Sequence, residues 1–336
     1  MYGDIAFRAD ATPEMGAGHL VRCLALADEC LHRRLRTFFI SRTLAPHLED
    51  LIARRGHAIM RLDESSDVVG SRELLRRLDG VDWLVYDHYG LDAFWSAALR
   101  PYARHVMAID DLANRRHECD LILDQTPCPN PERRYAHLIP EGCQRLFGAT
   151  FALLRREFAA ARPSTARHPS GIRALAIAMG GFSDSRYVAR ILDAISRVSA
   201  LHGVAIHILG NSSPVSEHAA QITQHGFLED PAPLLRHMDI AVGAAGSSAL
   251  ERCCLGLPSI IVTIAQNQEL LASSLQAAGC VRYLGSISEV DALQIAATLS
   301  KLHSDPAEIS AMGRHGLHLV DGNGASRVAD RMCAVT

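Results

Sequence analysis

What this 336-residue chain lacks narrows it before any motif is read. It has no uninterrupted apolar stretch near the ~18–20 residues that a membrane-spanning helix needs. Its start, Met1-Tyr2-Gly3-Asp4-Ile5, has no basic segment followed by a long apolar core, so it does not read as a signal peptide. Neither sign of charge is in excess: 34 Lys and Arg stand against 37 Asp and Glu, a formal net charge of -3. That leaves no electrostatic footprint for nucleic acid or an anionic membrane surface. A bound phosphate then has to be held locally, by backbone N–H groups or single side chains. The nine cysteines include no C-x-x-C pair. Their spacings are irregular, with Cys253 and Cys254 adjacent, which argues against a zinc site or a disulfide framework and suits a reduced cytoplasm. With 17 histidines in the chain, one His alone carries little weight.

What is there is a repeated alternation of short apolar runs and helical periods, in a chain that is 48% hydrophobic. Strands are predicted at Ile5–Arg8, Thr37–Ile40, His57–Leu62, Trp83–Tyr86, Val106–Ile109 and Leu121–Leu123, with helices between most of them. Ala159 to Gly171 holds Ala, Arg, Pro, Ser, Thr and His without an apolar period and reads as a linker. The pattern restarts with strands at Ala174–Ala178, Val204–Leu209, Ile240–Val242 and Ile260–Ile264. This predicts two α/β domains of similar size, 1–160 and 171–336, each with a parallel sheet covered on both faces. The tail, Ala325–Val335, has helical spacing and is expected to pack back on the N-terminal domain. Ligands of such sheets sit beyond the carboxyl ends of strands, so the expected site is a cleft between the domains.

Five segments lie at those ends. Gly16-Ala17-Gly18-His19 opens the first helix; a helix start disfavours imidazolium, so His19 reads as a general base, or simply as a capping residue in a tight turn. The segment lacks the further Gly of the dinucleotide fingerprint, and the second strand ends in Ile40-Ser41-Arg42 with no acidic residue, which disfavours a nicotinamide-dependent enzyme. Gly243-Ala244-Ala245-Gly246-Ser247-Ser248-Ala249-Leu250-Glu251 runs from strand to helix, with the helix placed at Ser247. It offers N–H donors for a diphosphate and a carboxylate, Glu251, for two ribose hydroxyls, and reads equally as a helix with an acidic first turn. No Lys follows the glycines, so it is not a P-loop. Met179-Gly180-Gly181-Phe182-Ser183-Asp184 is a further strand-to-turn segment, Ala265-Gln266-Asn267-Gln268 offers amides suited to sugar hydroxyls and acetamido groups, and Asp87-His88-Tyr89 closes the Trp83–Tyr86 strand. Asp110-Asp111 has no third ligand at a supporting spacing and reads as structural rather than as a metal pair.

Taken in order, several runs resemble the PseG family. They are Arg8-Ala9-Asp10-Ala11-Thr12, Gly16-Ala17-Gly18-His19-Leu20-Val21-Arg22-Cys23-Leu24, Asp87-His88-Tyr89, Ile109-Asp110-Asp111-Leu112-Ala113 and Cys119-Asp120-Leu121-Ile122-Leu123-Asp124-Gln125. Gly246-Ser247-Ser248, Glu251-Arg252-Cys253-Cys254-Leu255-Gly256-Leu257-Pro258 and Asn267-Gln268 continue the series into the second domain. The resemblance implies the two-domain GT-B fold of MurG, with two Rossmann-type sheets. It also implies hydrolysis of a UDP-activated 2,4-diacetamido-2,4,6-trideoxy hexose in pseudaminic acid biosynthesis, for flagellin and surface glycans. It implies that His19 is the base, that Tyr89 and Asn267 contact the sugar, and that Gly246, Ser247 and Glu251 contact UDP. Phe227 and Leu228 become candidates for the uracil pocket, ahead of a helix at Pro231–His237, and Asp10, Gly18, Arg22 and Gln268 join the substrate-binding set. The family's Gly-Gly-Ser-Asp turn is one residue longer here, Gly180 to Asp184. The chain is therefore expected to be a cytoplasmic, metal-independent and cofactor-free enzyme that takes a UDP-sugar, acts as a monomer, and neither binds nucleic acid nor inserts into a membrane. The alternatives are a GT-B glycosyltransferase with a UDP-sugar donor and a non-catalytic nucleotide-sugar-binding protein.

Overall fold

A computed structural model describes residues 3–12, 16–63, 66–167, 170–180, 185–210 and 221–335 of the chain. Two compact units result: Met1–Arg155 together with Asn323–Thr336, and Arg156–Gly322. The second unit thus takes up at Arg156, ahead of the stretch read as a linker, and helix Arg156–Ala161 covers residues 159–161 of that stretch.

The first unit carries β1 (Asp4–Ala9), β2 (Arg36–Ser41), β3 (Ala58–Arg61), β4 (Val81–Asp87), β5 (Ala103–Ile109), β6 (Leu121–Asp124) and β7 (Gln144–Phe147). They lie in the order β3-β2-β1-β4-β5-β6-β7, every neighbouring pair parallel. Its helices are α1 (Gly18–His32), α2 (Pro46–Arg54), α3 (Asp67–Arg77), α4 (Ala93–Leu99) and α5 (Pro131–Tyr135). The second unit carries α6 (Arg156–Ala161), β8 (Ala174–Ala178), α7 (Ser185–Ser196), β9 (Ala205–Leu209), β10 (Ile222–His225), α8 (Ala232–Leu235) and β11 (Ile240–Ala244). It continues with α9 (Ser248–Cys254), β12 (Ser259–Thr263), α10 (Glu269–Ala277), β13 (Val281–Ser286), α11 (Ala292–Ser304) and α12 (Pro306–Leu319). Its sheet order is β10-β9-β8-β11-β12-β13, again parallel throughout. The last helix, α13 (Gly324–Val335), belongs to the first unit.

Why these runs become strands follows from their burial. A parallel sheet covered by helices on both faces hides both side-chain rows, so its central strands are apolar throughout rather than alternating. β1, β11 and β12 are buried at every residue. Ala6, Leu84, Tyr86, Val106, Ala108 and Ile122 centre one core, and Leu175, Ile177, Ile208, Val242, Ile260 and Val262 the other.

Both sheets are doubly wound, which matters for function. The chain builds outward in one direction from β1 and in the other from β4; β8 and β11 play the same parts in the second sheet. At each reversal the loops leaving two neighbouring strands diverge, and the crevice beyond their carboxyl ends is where such sheets bind ligands. β1 ends against Asp87, since Ala9 pairs with Asp87. β8 ends against Gly243, which pairs with Ala178.

Candidate functional site

His19 and its partners occupy the first reversal point. The chain leaves β1 and turns through Gly16, which adopts φ +73° in open space and so suits glycine there. Ala17 caps α1 without a side-chain bond, and Gly18 and His19 form the first turn. His19 is 6% exposed. Its Nδ1 lies 2.6 Å from Asp87 Oδ1. A carboxylate can only accept, so Nδ1 carries the proton and donates it. In the neutral ring Nε2 is then left with its lone pair, the form a general base requires. Tyr89 packs edge-on against the imidazole, ring centroids 4.5 Å apart.

Asp87 is 1% exposed and shared. Arg22, one turn along α1 from His19, reaches it through Nε at 2.5 Å and Nη2 at 2.7 Å. Arg22 Nη1 donates in turn to Asp111 Oδ2 at 2.9 Å. Burial pushes the Asp87 carboxyl up, but the Arg22 guanidinium and His19 outweigh it and hold Asp87 well below the usual carboxylate range. Arg22 is displaced well upward because Asp87 and Asp111 overcome its own burial. Cys23 Sγ, 3.8 Å from the same carboxylate, has its thiol pushed well up by burial and by Asp87. His19, Asp87, Arg22 and Asp111 thus form one chain of charge-assisted hydrogen bonds.

Beside it lies a second cluster. Asp10 is buried, its Oδ1 taking the backbone N–H groups of Arg42 and Thr43 and its Oδ2 the Nη2 of Arg8. Arg8, fully inside the sheet, also grips Asp67 on α3, and Trp95 Nε1 donates to the same carboxylate at 3.0 Å. Asp10 and Arg22 are therefore committed to internal ion pairs. Asp110 is braced by Arg115, Tyr135 and the Ala113 amide. Among the described residues no group of three or more His, Cys, Asp or Glu side chains is placed to hold a metal ion. All nine cysteines are free thiols.

In the second unit the Gly246 turn occupies the corresponding reversal point. The helix starts at Ser248, with Ser247 as its cap in a helical conformation and no side-chain cap bond, one residue later than the sequence suggests. Ser247's backbone is already helical, so its hydroxyl is not oriented as that of an extended cap residue is. Glu251 falls in the first turn and is partly exposed. The turn Gln266–Gln268 follows β12, and a side chain on Gly246 would stand 3.7 Å from Gln268 Nε2, so these two segments meet. Gln268 Oε1 accepts from the Ile264 amide at 3.0 Å, fixing that side chain; Asn267 is partly buried beside it. Phe227 and Leu228, both partly buried, lie in the loop between β10 and α8, and α8 is shorter than the sequence-based span, at Ala232–Leu235. Gly180 is described, whereas Gly181, Phe182, Ser183 and Asp184 lie outside the described residues.

Asp87 is the residue that sequence reasoning noticed without assigning a role. Its signal was available only in combination: an Asp closing a strand that neighbours β1, opposite the first turn of α1.

No family model matches the chain. It is 23% identical over 331 residues, 95% of each chain, to the spore coat polysaccharide biosynthesis protein SpsG of Bacillus subtilis. It is 25% identical over 155 residues to the UDP-2,4-diacetamido-2,4,6-trideoxy-β-L-altropyranose hydrolase of Campylobacter jejuni, covering 46% of this chain and 53% of that one. Among solved structures it superposes on MurG of Acinetobacter baumannii with a TM-score of 0.68 at 13% identity, over 99% of both chains. Anabaena Alr3699/HepE, solved in complex with UDP-glucose, matches with a TM-score of 0.63 at 10% identity, over 100% of both chains. Two parallel-sheet α/β units of seven and six strands, matched along their whole length by MurG, define the GT-B fold.

Proposed function

We propose that this protein is a nucleotide-sugar hydrolase: it cleaves a UDP-activated 2,4-diacetamido-2,4,6-trideoxy hexose to the free sugar and UDP, as a member of the PseG family. The observation that carries the reading is the bond from His19 Nδ1 to the buried, ionised Asp87. It fixes the tautomer, leaves Nε2 as acceptor and stabilises the imidazolium formed when a proton arrives, the division of labour found in His–Asp pairs generally. Arg22 holds Asp87 in place and keeps it charged. His19 then takes the proton of a water that attacks the anomeric carbon, through an oxocarbenium-like state, and the C–O bond to UDP breaks with inversion. UDP is a good leaving group, and no general acid is assigned. The roles of the second unit follow the same reading. The Gly246–Ser247 turn holds the diphosphate as it departs, Glu251 the ribose and Phe227 with Leu228 the uracil. Tyr89, Asn267 and Gln268 contact the sugar. The partial match to the Campylobacter jejuni hydrolase supports the substrate class.

The same geometry serves one other reaction. A base that deprotonates water can deprotonate an acceptor hydroxyl, and the full-length likeness to MurG favours sugar transfer as the second reading. Free UDP, measured over a panel of UDP-sugars with and without acceptor alcohols, separates them. Hydrolysis requires UDP release in buffer alone, fastest with the diacetamido-trideoxy sugar. Release only with an acceptor present would make the protein a transferase, and none under any condition would leave it a binding protein.

A further inference from the structure

In the second unit a positive charge is buried without an ion-pair partner among the described residues. Arg252, on α9, is 1% exposed. Its Nε donates to Ser259 Oγ at 3.0 Å, its Nη1 to Ser248 Oγ at 3.1 Å and its Nη2 to the carbonyl of Ala244 at 2.9 Å. Every one of these partners is neutral, and among the described residues no carboxylate forms an ion pair with it. The contrast with the first unit is direct: Arg8 and Arg22, as deeply buried, each grip two carboxylates and are displaced upward. Burial instead pulls Arg252 down to about 10, and the nearby Cys253 and Glu251 oppose it only in part. A buried cation without an ion pair is costly to keep. It is explicable where a ligand supplies the missing charge.

The partners show where that ligand would be. Ala244 ends β11 and Ser248 begins α9, so two of the three bonds of Arg252 clasp the two ends of the turn Ala245-Gly246-Ser247. Ser248 is partly exposed, unlike Arg252. Its oxygen accepts from the guanidinium, which leaves its own O–H to donate elsewhere. A hydroxyl that accepts from a cation is also the stronger donor for it.

We infer that Ser248, backed by Arg252, is a contact for the diphosphate of the nucleotide: the hydroxyl donates to a phosphate oxygen, and the buried guanidinium supplies the opposing charge behind it. This rests on the reading that the second unit holds UDP, and adds to it two residues that the Gly246, Ser247 and Glu251 assignment omits. Arg252, which does not itself reach the surface, is a positioning residue.

Calorimetric titration with UDP tests it on the wild type, Ser248→Ala, Ser248→Thr and Arg252→Met, each checked for folding by its thermal midpoint. Hydrogen bonds to charged groups predict that Ser248→Ala weakens UDP about tenfold or more. Ser248→Thr, which keeps the hydroxyl, should bind within about threefold of wild type on the same scale. Arg252→Met should lose as much affinity as Ser248→Ala. A folded Ser248→Ala protein that binds UDP like the wild type overturns the inference, and a folded Arg252→Met protein that does so overturns Arg252's part in it. Failure of the wild type itself to bind UDP would instead overturn the underlying reading.

Discussion

His19 is hydrogen-bonded to a residue 68 positions away, Asp87. The Gly-turn and the helix start mark His19 in the sequence, because both are local. The partner is not local: only the pairing of β1 with β4 brings the end of one strand beside the turn leaving the other. Spacing along a chain carries no trace of which strands become neighbours, so Asp87 reads from sequence as a polar residue closing a strand. Two predictions belong at this scale. His19→Ala should fold, bind UDP and lose ~10²–10⁴-fold in turnover, the usual loss for a general base; near-normal turnover would remove His19 from that role. Asp87→Asn keeps the shape of the carboxylate but lets the amide favour the wrong imidazole tautomer, so kcat should fall by up to ~10⁴-fold with KM much less affected. Steady-state kinetics decides, and a loss confined to KM would count against the dyad.

Among the elements, the central strands were readable and several edge strands were not. β1, β11 and β12 are buried along their whole length and appear as apolar runs. β7 is Gln-Arg-Leu-Phe with two exposed residues, and β10, Ile-Thr-Gln-His, has two exposed as well. An edge strand buries less than a central one, so its hydrophobic signal fades into that of a polar loop. α6 was hidden for a similar reason, in a stretch of Ala and Arg without a clear period. The tail helix, α13, offers a test of how closely elements meet. A side chain on Gly324, its first residue, would stand 2.2 Å from the Ala152 carbonyl oxygen. That neighbour is backbone and cannot swing aside. Gly324→Ala should therefore lower stability by about 1–3 kcal/mol, the range for overpacking a tight contact. A thermal midpoint equal to the wild type's would show that the helix start has room to move.

At the scale of the whole molecule, the first unit is held by ionised carboxylates and should answer to acid accordingly. For Asp10, Asp67, Asp87, Asp110 and Asp120, burial pushes the carboxyl up, but the facing Arg or His groups prevail and leave each below its ordinary value. Asp124, by contrast, is raised by burial. A group whose pKa is depressed by folding stabilises fully above its unfolded value, about 4 for Asp, and loses that contribution as pH falls toward the folded value. Amide protection of β1, β4 and β5 should hold from neutrality to about pH 4 and fall steeply below it; protection that persists undiminished to about pH 2 would contradict these shifts. No helix of the described residues is long and apolar enough to cross a membrane. The central claim, that a base on the first unit directs water to the sugar rather than to phosphorus, has one direct measurement. Turnover of the UDP-activated diacetamido-trideoxy sugar in water enriched in heavy oxygen, followed by mass spectrometry, should place the label on the anomeric hydroxyl of the released sugar and none in UDP. Label in UDP would mean attack at phosphorus and would contradict the account.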